Sequence, residues 1–331
     1  MPDTRLDVLC IGNAIVDVIA NATDDFLSAE GLVKGSMRLI DAEEAERLYS
    51  HMGPAHQVSG GSAGNTAAGV AAFGGQAGFI GQVAPDQLGT FYRHDLTAAG
   101  VEFITPPADV GSPTARSMIL VTPDGHRTMN TSLGAAQHLP ASALDEAQIR
   151  SASILYLEGY LWDPETPRHA MVRAIEVARE AGRKVAFTLS DTFCVDRHRD
   201  GFMNLLDGGR IDILFANQAE IEALAGVAHL ESSVAAVKDK VETLVVTRSE
   251  DGALATRGGE SAEVPAEPIG KLVDTTGAGD LFAAGFLFGI ARRRNLEQAL
   301  RLGAIAAAEV IQHYGARPEA DLRALAGALL D

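Results

Sequence analysis

The octet Val273-Asp274-Thr275-Thr276-Gly277-Ala278-Gly279-Asp280 runs into the apolar stretch Leu281-Phe282-Ala283-Ala284-Gly285-Phe286. Small residues at 277–279 let the backbone turn sharply into a helix and leave its first N–H groups uncovered. Free donors at the positive end of a helix dipole hold phosphate oxygens. Asp280 falls in the first turn beside that anion site. A carboxylate there can take the proton of a hydroxyl that attacks a bound phosphoryl group. Alone, G-A-G-D is equally a helix start with an acid that complements the dipole, so the chemistry needs companions.

The elements that must position this turn follow from periodicity. Residues 6–11 read as a short buried strand stopped by Gly12-Asn13. Asp41 with Glu44 has capping-box spacing for a helix over 41–51. Ser59-Gly60-Gly61-Ser62-Ala63-Gly64-Asn65 opens an Ala-rich helix reaching about Phe73. A strand at 78–81, a helix at 87–99 and a hairpin of 117–122 with 127–131 follow. Strands at 154–157, 185–189, 211–215 and 244–247 then alternate with helices at 166–181, 197–206, 218–225 and 231–239. A hairpin at 253–256 and 261–264 precedes three helices at 278–291, 295–312 and 319–330. Short apolar strands separated by helices make a mainly parallel sheet covered on both faces. No repeat or linker interrupts this, so one α/β domain over 1–331 is expected. The stretches at about 15–56 and 112–135 fall outside the progression. They read as strand-like pieces that pair into a small β-lid over the sheet edge.

The chain of 331 residues carries 27 Lys+Arg against 44 Asp+Glu, a formal charge of −17. That balance argues against non-specific binding to nucleic acid or anionic membranes. With 47% hydrophobic and 21% charged residues it reads as globular rather than disordered. Cys10 and Cys194 are too few for a disulfide framework, and neither has a zinc-spaced neighbour. The start, Met1-Pro2-Asp3-Thr4-Arg5, lacks a basic leader region, and no apolar run is long enough to span a bilayer. A cytoplasmic protein is expected. No G-x-x-x-x-G-K-[ST] or G-x-G-x-x-G occurs, which removes P-loop and dinucleotide-dehydrogenase readings. His198-Arg199-Asp200 looks like a protein-kinase catalytic loop, but Leu205 stands where that loop needs Asn.

The octet with its flanks resembles the C-terminal signature, D-T-x-G-A-G-D before an apolar helix, of the ribokinase-like (PfkB-type) family of sugar and nucleoside kinases. Gly60-Gly61 and Asn65 resemble that family's N-terminal glycine pair and asparagine, and Asn217-Gln218-Ala219-Glu220 its N-x-x-E motif. Thr247 and Gly252 resemble a T-x-G-x-x-G loop bordering the nucleotide, with Ser249 where the first glycine is usual. The resemblance implies a three-layer α/β/α fold with a β-lid, and ATP with Mg²⁺ as donor. It makes Asp280 the base and the Gly277-Ala278-Gly279 backbone the anion hole. It puts Asn217, Glu220, Thr247, Gly252 and Thr275 on the nucleotide and Mg²⁺ side. Asp274 and Thr276 fall where some members bind a monovalent cation such as K⁺.

Within the family the adenosine kinases are most similar, through Gly12-Asn13-Ala14-Ile15-Val16-Asp17, Gly61-Ser62-Ala63-Gly64-Asn65, Leu189-Ser190 with Phe193, and a lid strand from Arg127. The resemblance implies that Asn13, Asp17, Gly60, Gly61 and Asn65 surround a ribose and that Arg127 approaches the phosphates. Asn13 as a turn residue and Asp17 as a solvated charge are the plainer alternatives. Arg116 is a departure, a bulky lid cation that would favour a different or anionic acceptor. Tyr160, Leu161 and Trp162 fit the walls of a base pocket and fit a core equally well. The expected activity is adenosine to AMP. The alternatives are a sugar kinase acting on ribose, a ketohexose or a keto-deoxy sugar acid, and a silent sensor of nucleoside or sugar. Nucleic acid and membrane are not expected partners, and monomer and homodimer both stay open.

Overall fold

The computed structural model describes residues 4–330. Met1 to Asp3 and Asp331, part of the span read as one domain, lie outside the described residues. The strands, in chain order, are β1 (Leu6–Ile11), β2 (Ile15–Asn21), β3 (Met37–Leu39), β4 (Ala55–Ser59), β5 (Ala77–Ile80), β6 (Val101–Phe103) and β7 (Ala115–Val121). They continue as β8 (Arg127–Ser132), β9 (Ala152–Glu158), β10 (Lys184–Thr188), β11 (Ile213–Asn217), β12 (Thr243–Thr247), β13 (Ala253–Arg257) and β14 (Glu260–Val264).

Nine strands form the main sheet in the order β14-β13-β12-β11-β10-β9-β1-β5-β6. From β6 to β12 every pairing is parallel, and the β12-β13-β14 edge is antiparallel. Strand β1 shows why both faces need helices. Val8 and Cys10 enter one core with helices Ser62–Ala72, Ala278–Ala291 and Leu296–Val310. Leu9 and Ile11 enter the other with Glu165–Glu180, Thr192–Asp207 and Gln218–Ala225. A strand covered on both sides must be apolar at consecutive positions rather than alternate ones. The three-layer α/β/α fold expected from the sequence is present.

The lid is a second sheet, β3-β8-β7-β2-β4. Its outer face carries Val16, Val18, Met118 and Leu120, packed with Leu27, Ala45 and Leu48 from helices Asp24–Ala29 and Ala42–His51. The helix Asp24–Ala29 sits in a stretch that reads as strand-like, and Thr23 caps it by accepting from Phe26 N at 3.1 Å. Only half of the capping box at Asp41 forms. Asp41 accepts from Glu44 N at 2.7 Å, whereas the Glu44 carboxylate turns to Arg38, also at 2.7 Å.

At the β12–β13 turn, Ser249 adopts a left-handed φ of 51° and Gly252 a φ of 83°. A Cβ on Gly252 would collide with the Val264 carbonyl, so glycine is required there. Ser249 has no such excuse and carries left-handed strain on the order of 1 kcal/mol. Ser249→Gly is therefore expected to raise stability by up to about 1 kcal/mol, offset in part by glycine's greater unfolded-state freedom. Urea denaturation reads this directly, and an unchanged midpoint would mean the turn accommodates serine without cost.

Candidate active site

Strand β1 lies between β5 on one side and β9 on the other, so the connections of the sheet diverge at β1. Such a switch point opens a crevice at the carboxyl ends of the strands. One buried carboxylate fills its floor. Glu158, the last residue of β9, accepts from Asn13 N at 2.8 Å and Asn13 Nδ2 at 2.6 Å through one oxygen, and from Ala63 N at 2.8 Å through the other. A side chain on Gly12 would strike that carboxylate. Burial pushes Glu158 up to about 7, although its three donors pull the other way. Sequence reasoning missed it. Its one signal was an acid ending an apolar strand.

Asp280 sits across from this floor at the start of the helix Ala278–Ala291. Gly277 is the N-cap, with φ 79° and no side-chain acceptor, and its missing Cβ makes room for Ala316. Ala278 N donates back to Thr275 O at 3.2 Å, which closes the turn and draws one of the three expected anion-hole amides inward. Gly279 is exposed, and a Cβ there would meet nothing within 4 Å. The Asp280 carboxylate faces the helix Ser62–Ala72. Ser62 Oγ donates to Oδ1 at 2.7 Å and Asn65 Nδ2 to Oδ2 at 2.9 Å. Burial raises its pKa, and Ser62, Asn65 and the more distant Arg317 guanidinium draw it back. Ser62 stood in the Gly61–Asn65 motif without a role of its own, and Arg317 was not singled out from sequence.

The lid brings two further groups down. Cross-strand register puts Asp17, Ser117, Thr131 and Leu39 in one row on the lid's inner face. A Cβ on Gly60 would hit the Asp17 carboxylate, and one on Gly61, at φ 83°, would hit the Asn13 carbonyl. The glycine pair thus makes space for Asn13 and Asp17 themselves. Burial pushes Asp17 up to about 6 against the attraction of Arg127 and Arg317. Arg127, also inward, pairs with Asp274, with side chains 7% and 4% exposed. Thr276 N at 3.1 Å and Gly315 N at 3.2 Å complete the donors on Asp274. With a guanidinium docked on this carboxylate, its positive charge comes from Arg127. Asp274 and Thr276 do not fit a monovalent cation in this arrangement. The Nε and Nη2 atoms of Arg127 are buried without acceptors.

Arg116 points the other way. It pairs in register with Val16 on the outer face and donates to Glu46 at 2.7 Å. The expectation that it biases the acceptor is therefore corrected: strand parity turns it from the crevice. Leu161 and Trp162 are likewise core rather than pocket wall, with Trp162 stacked edge-on against Phe187 and Phe202. Tyr160 stays half-buried at the crevice, its hydroxyl donating to Ser190 O at 3.3 Å. Farther along, Asn217 and Thr247 are register partners at the ends of β11 and β12. Asn217 and Glu220 form a reciprocal capping box, and burial pushes Glu220 up to about 7. Each Glu220 oxygen accepts one bond from Asn217, at 2.9 and 2.6 Å, and keeps a lone pair. That suits contact with the water shell a small divalent ion retains. Thr275 is exposed, and Gly252 lies on the loop after Thr247.

Residues 5–322 match the pfkB family of carbohydrate kinases. The chain belongs to that family. The kinase is 48% identical to a probable sugar kinase protein from Rhizobium etli, with 98% of each chain covered and a TM-score of 0.91. It is 49% identical to an adenosine kinase from Sinorhizobium meliloti, covering 97% of this chain and 98% of that one, with a TM-score of 0.90. Among curated proteins it is 26% identical to adenosine kinase of Saccharomyces cerevisiae over 93% of this chain and 95% of the other. It is an ATP-dependent kinase of a nucleoside or sugar, and kinases of this family use ATP with a divalent metal ion. No helix among the described residues is long and apolar enough to cross a membrane.

Two predictions follow from this geometry. Gly279→Ala is expected to leave Tm unchanged or raised, since alanine favours helix and meets nothing, yet to lower kcat/KM roughly tenfold or more by crowding the anion site. Unaltered turnover would move the anion hole elsewhere. Glu158, raised from 4.5 to about 7, holds its proton more tightly folded than unfolded. The stability this gives is complete below the unfolded pKa and is lost as pH rises through about 7. Glu158→Gln cannot ionise, so its Tm should fall less than wild type's between about pH 5 and pH 8. Parallel Tm–pH curves for the two proteins would refute the assignment.

Proposed function

We propose that this kinase transfers the γ-phosphoryl group of ATP to the primary 5′-hydroxyl of a nucleoside, converting adenosine to AMP. The observation that carries the reading is the lid's inner face. Beyond Asp17 the row ends at Leu39, and the next row holds Ile19, Ile119, Met129 and Met37. Leu39 is 60% and Met37 53% exposed. A bare sugar gripped by Asn13 and Asp17 would leave these side chains in water, whereas a flat heterocyclic base would cover them. The likeness to the Sinorhizobium meliloti adenosine kinase supports the same substrate. The likeness to the probable sugar kinase protein of Rhizobium etli supports the alternative, a sugar kinase. That Asp280, Asn217 and Glu220 are all present disfavours a silent sensor.

The chemistry is a direct in-line displacement. The 5′-oxygen bonds to the γ-phosphorus as the bond to the ADP oxygen breaks, and the hydroxyl proton passes to the Asp280 carboxylate. Gly277 and Gly279, at the helix N-terminus, offer amide hydrogens to the phosphoryl oxygens. Asp17, an acceptor for two hydroxyls, suits the ribose cis-diol, with Asn13 and Asn65 beside it. Arg127, held on Asp274, keeps Nε and Nη2 without a protein acceptor and so has donors left for the phosphates. Asn217 and Glu220 are the residues that would hold the divalent ion, Mg²⁺, which when bound supplies positive charge to the β- and γ-phosphate oxygens. Water leaves as the lid settles on the sheet.

ADP release with Mg·ATP against adenosine, inosine, guanosine, ribose, fructose and 2-keto-3-deoxygluconate tests the substrate. Turnover on adenosine with the sugars silent is expected, and turnover on a sugar alone would make the enzyme a sugar kinase. In the same assay Asp280→Asn should lower kcat by roughly 10²- to 10⁴-fold while adenosine still binds by calorimetry. Near-wild-type turnover would remove Asp280 from the role of base.

A further inference from the structure

The loop after the helix Leu296–Val310 carries a guanidinium that the proposed chemistry does not use. Arg317 donates from Nη1 to Gly64 O at 3.2 Å and to Asn65 Oδ1 at 2.9 Å. From Nη2 it donates to the Ser59 carbonyl and to Ser59 Oγ, the latter at 3.0 Å. Both terminal nitrogens are spent on protein acceptors, so this is not a hand held out to substrate.

The choice of acceptors has a consequence for Asp280. Arginine has donors only, so the Asn65 atom that meets it must be the amide oxygen. That fixes the amide's other end, and Nδ2 then faces Asp280 Oδ2 at 2.9 Å. A flipped amide would set oxygen against carboxylate and NH₂ against guanidinium, two repulsions in place of two bonds. Ser59 is the last residue of lid strand β4, so the same guanidinium ties the lid's root to the helix that bears Asn65.

The backbone around Arg317 is anchored to the anion loop. Gly315 N donates to Asp274, and Ala316 packs where Gly277 lacks a Cβ. Glu309 accepts from Glu319 N at 2.9 Å and Ala320 N at 2.8 Å, which holds the loop beyond it. We propose that Arg317 is a positioning residue for the proton acceptor: it locks the Asn65 amide on Asp280 and sets a fixed positive charge behind it. The proposal rests on Asp280 being the base.

Several other groups face the same carboxylate. Asp17 from β2, Glu158 and Tyr156 from β9, Cys10 from β1 and Tyr160 beyond β9 all interact with Asp280 through charge. Burial raises the pKa of Asp280, the hydrogen bonds from Ser62 and Asn65 lower it, and among the described residues Arg317 is the cation whose charge lowers it further. Losing that charge must therefore raise the pKa of Asp280, and the base will fill with protons at a higher pH.

Three substitutions separate orientation from charge. Arg317→Gln keeps a donor for Asn65 and loses the charge, Arg317→Lys keeps the charge and loses the fork, and Arg317→Met loses both. Rates are measured on the full-length protein from about pH 5 to about pH 9 with the acceptor that turns over, beside Asp280→Asn. In Arg317→Met, kcat should drop roughly 10- to 100-fold with the KM for ATP little changed, as expected when a reacting group is misplaced. The acid limb of kcat/KM should move to higher pH in the Gln and Met variants and stay near wild type in Lys. Should the Met variant fail to fold, the Gln and Lys pair still carries the comparison. A lowered Tm with wild-type acid limbs and kcat would make Arg317 merely structural and overturn the proposal. If Asp280→Asn itself turns over like wild type, the base assignment fails first and the proposal falls with it.

Discussion

Two helices meet side by side through glycine and alanine, and their N-termini share one carboxylate. Gly69 of the helix Ser62–Ala72 has Leu281 and Ala284 of the helix Ala278–Ala291 where a side chain would be. That close approach brings Ser62 and Asn65 to hydrogen-bonding distance of Asp280. The helix Ala278–Ala291 begins at Gly277 and Gly279, which leave its positive N-terminal end free of side chains for the proposed anion site. Any larger residue at the contact would part the helices and separate the Asp280 carboxylate from the Ser62 and Asn65 donors that orient it. Farther along, Gly285 lies against the Leu302 carbonyl and Gly289 against Ala299, so the third helix is held by the same means. Small residues in these helices are therefore part of how the site is built, at a distance from the chemistry.

Glu158 does for Asn13 what this contact does for Asp280. It joins the end of β1 to the start of the helix Ser62–Ala72 through Asn13 and Ala63. A carboxylate so thoroughly buried would destabilise the fold if left unpaired. Two backbone amides and one side-chain amide meet it, and its affinity for a proton rises with burial. Burial likewise raises the crevice carboxyls Asp17, to about 6, and Glu220, to about 7, so both hold a proton to higher pH than a solvated carboxylate does. Site groups poised in this way exchange protons with bound hydroxyls more readily than a solvated carboxylate does.

The parts of this arrangement that were legible in the sequence are those carried by consecutive residues. The glycine-rich turn before Asp280, the Asn217–Glu220 pair and the strand–helix alternation all signal locally, because a turn, a cap and a period each occupy a few neighbouring positions. Helix Asp24–Ala29 was missed because six residues show too little periodicity to stand out. Arg116 was misread because its face depends on register with β2, which a strand's own sequence does not disclose. Arg317 was invisible for a different reason. It is 252 positions from Asn65, and an isolated arginine after Gly-Ala gives no hint that four acceptors converge on it. Trp162 could face a base or a core by its chemistry alone, and the sheet's second layer decided for the core.

A protein with a formal charge of −17 that binds a polyphosphate poses an electrostatic problem, and the structure answers it without a lysine cluster. Positive potential at the crevice comes from a helix N-terminus and from two arginines, Arg127 and Arg317, each fixed by protein acceptors. Backbone amides carry partial charge at an unvarying position, so they lose no side-chain entropy when an anion arrives. Fixed arginines add charge without being free to wrap a phosphate that is merely passing. An acidic surface meanwhile repels polyanions that lack a fitting shape, nucleic acids first among them. Acidic groups are also what a polyol requires, because hydroxyls bind by donating and a carboxylate accepts from two at once. The crevice thus needs many oxygens for the acceptor and only a few well-placed hydrogens for the donor. That asymmetry explains why its acids outnumber its bases while it still holds a triphosphate.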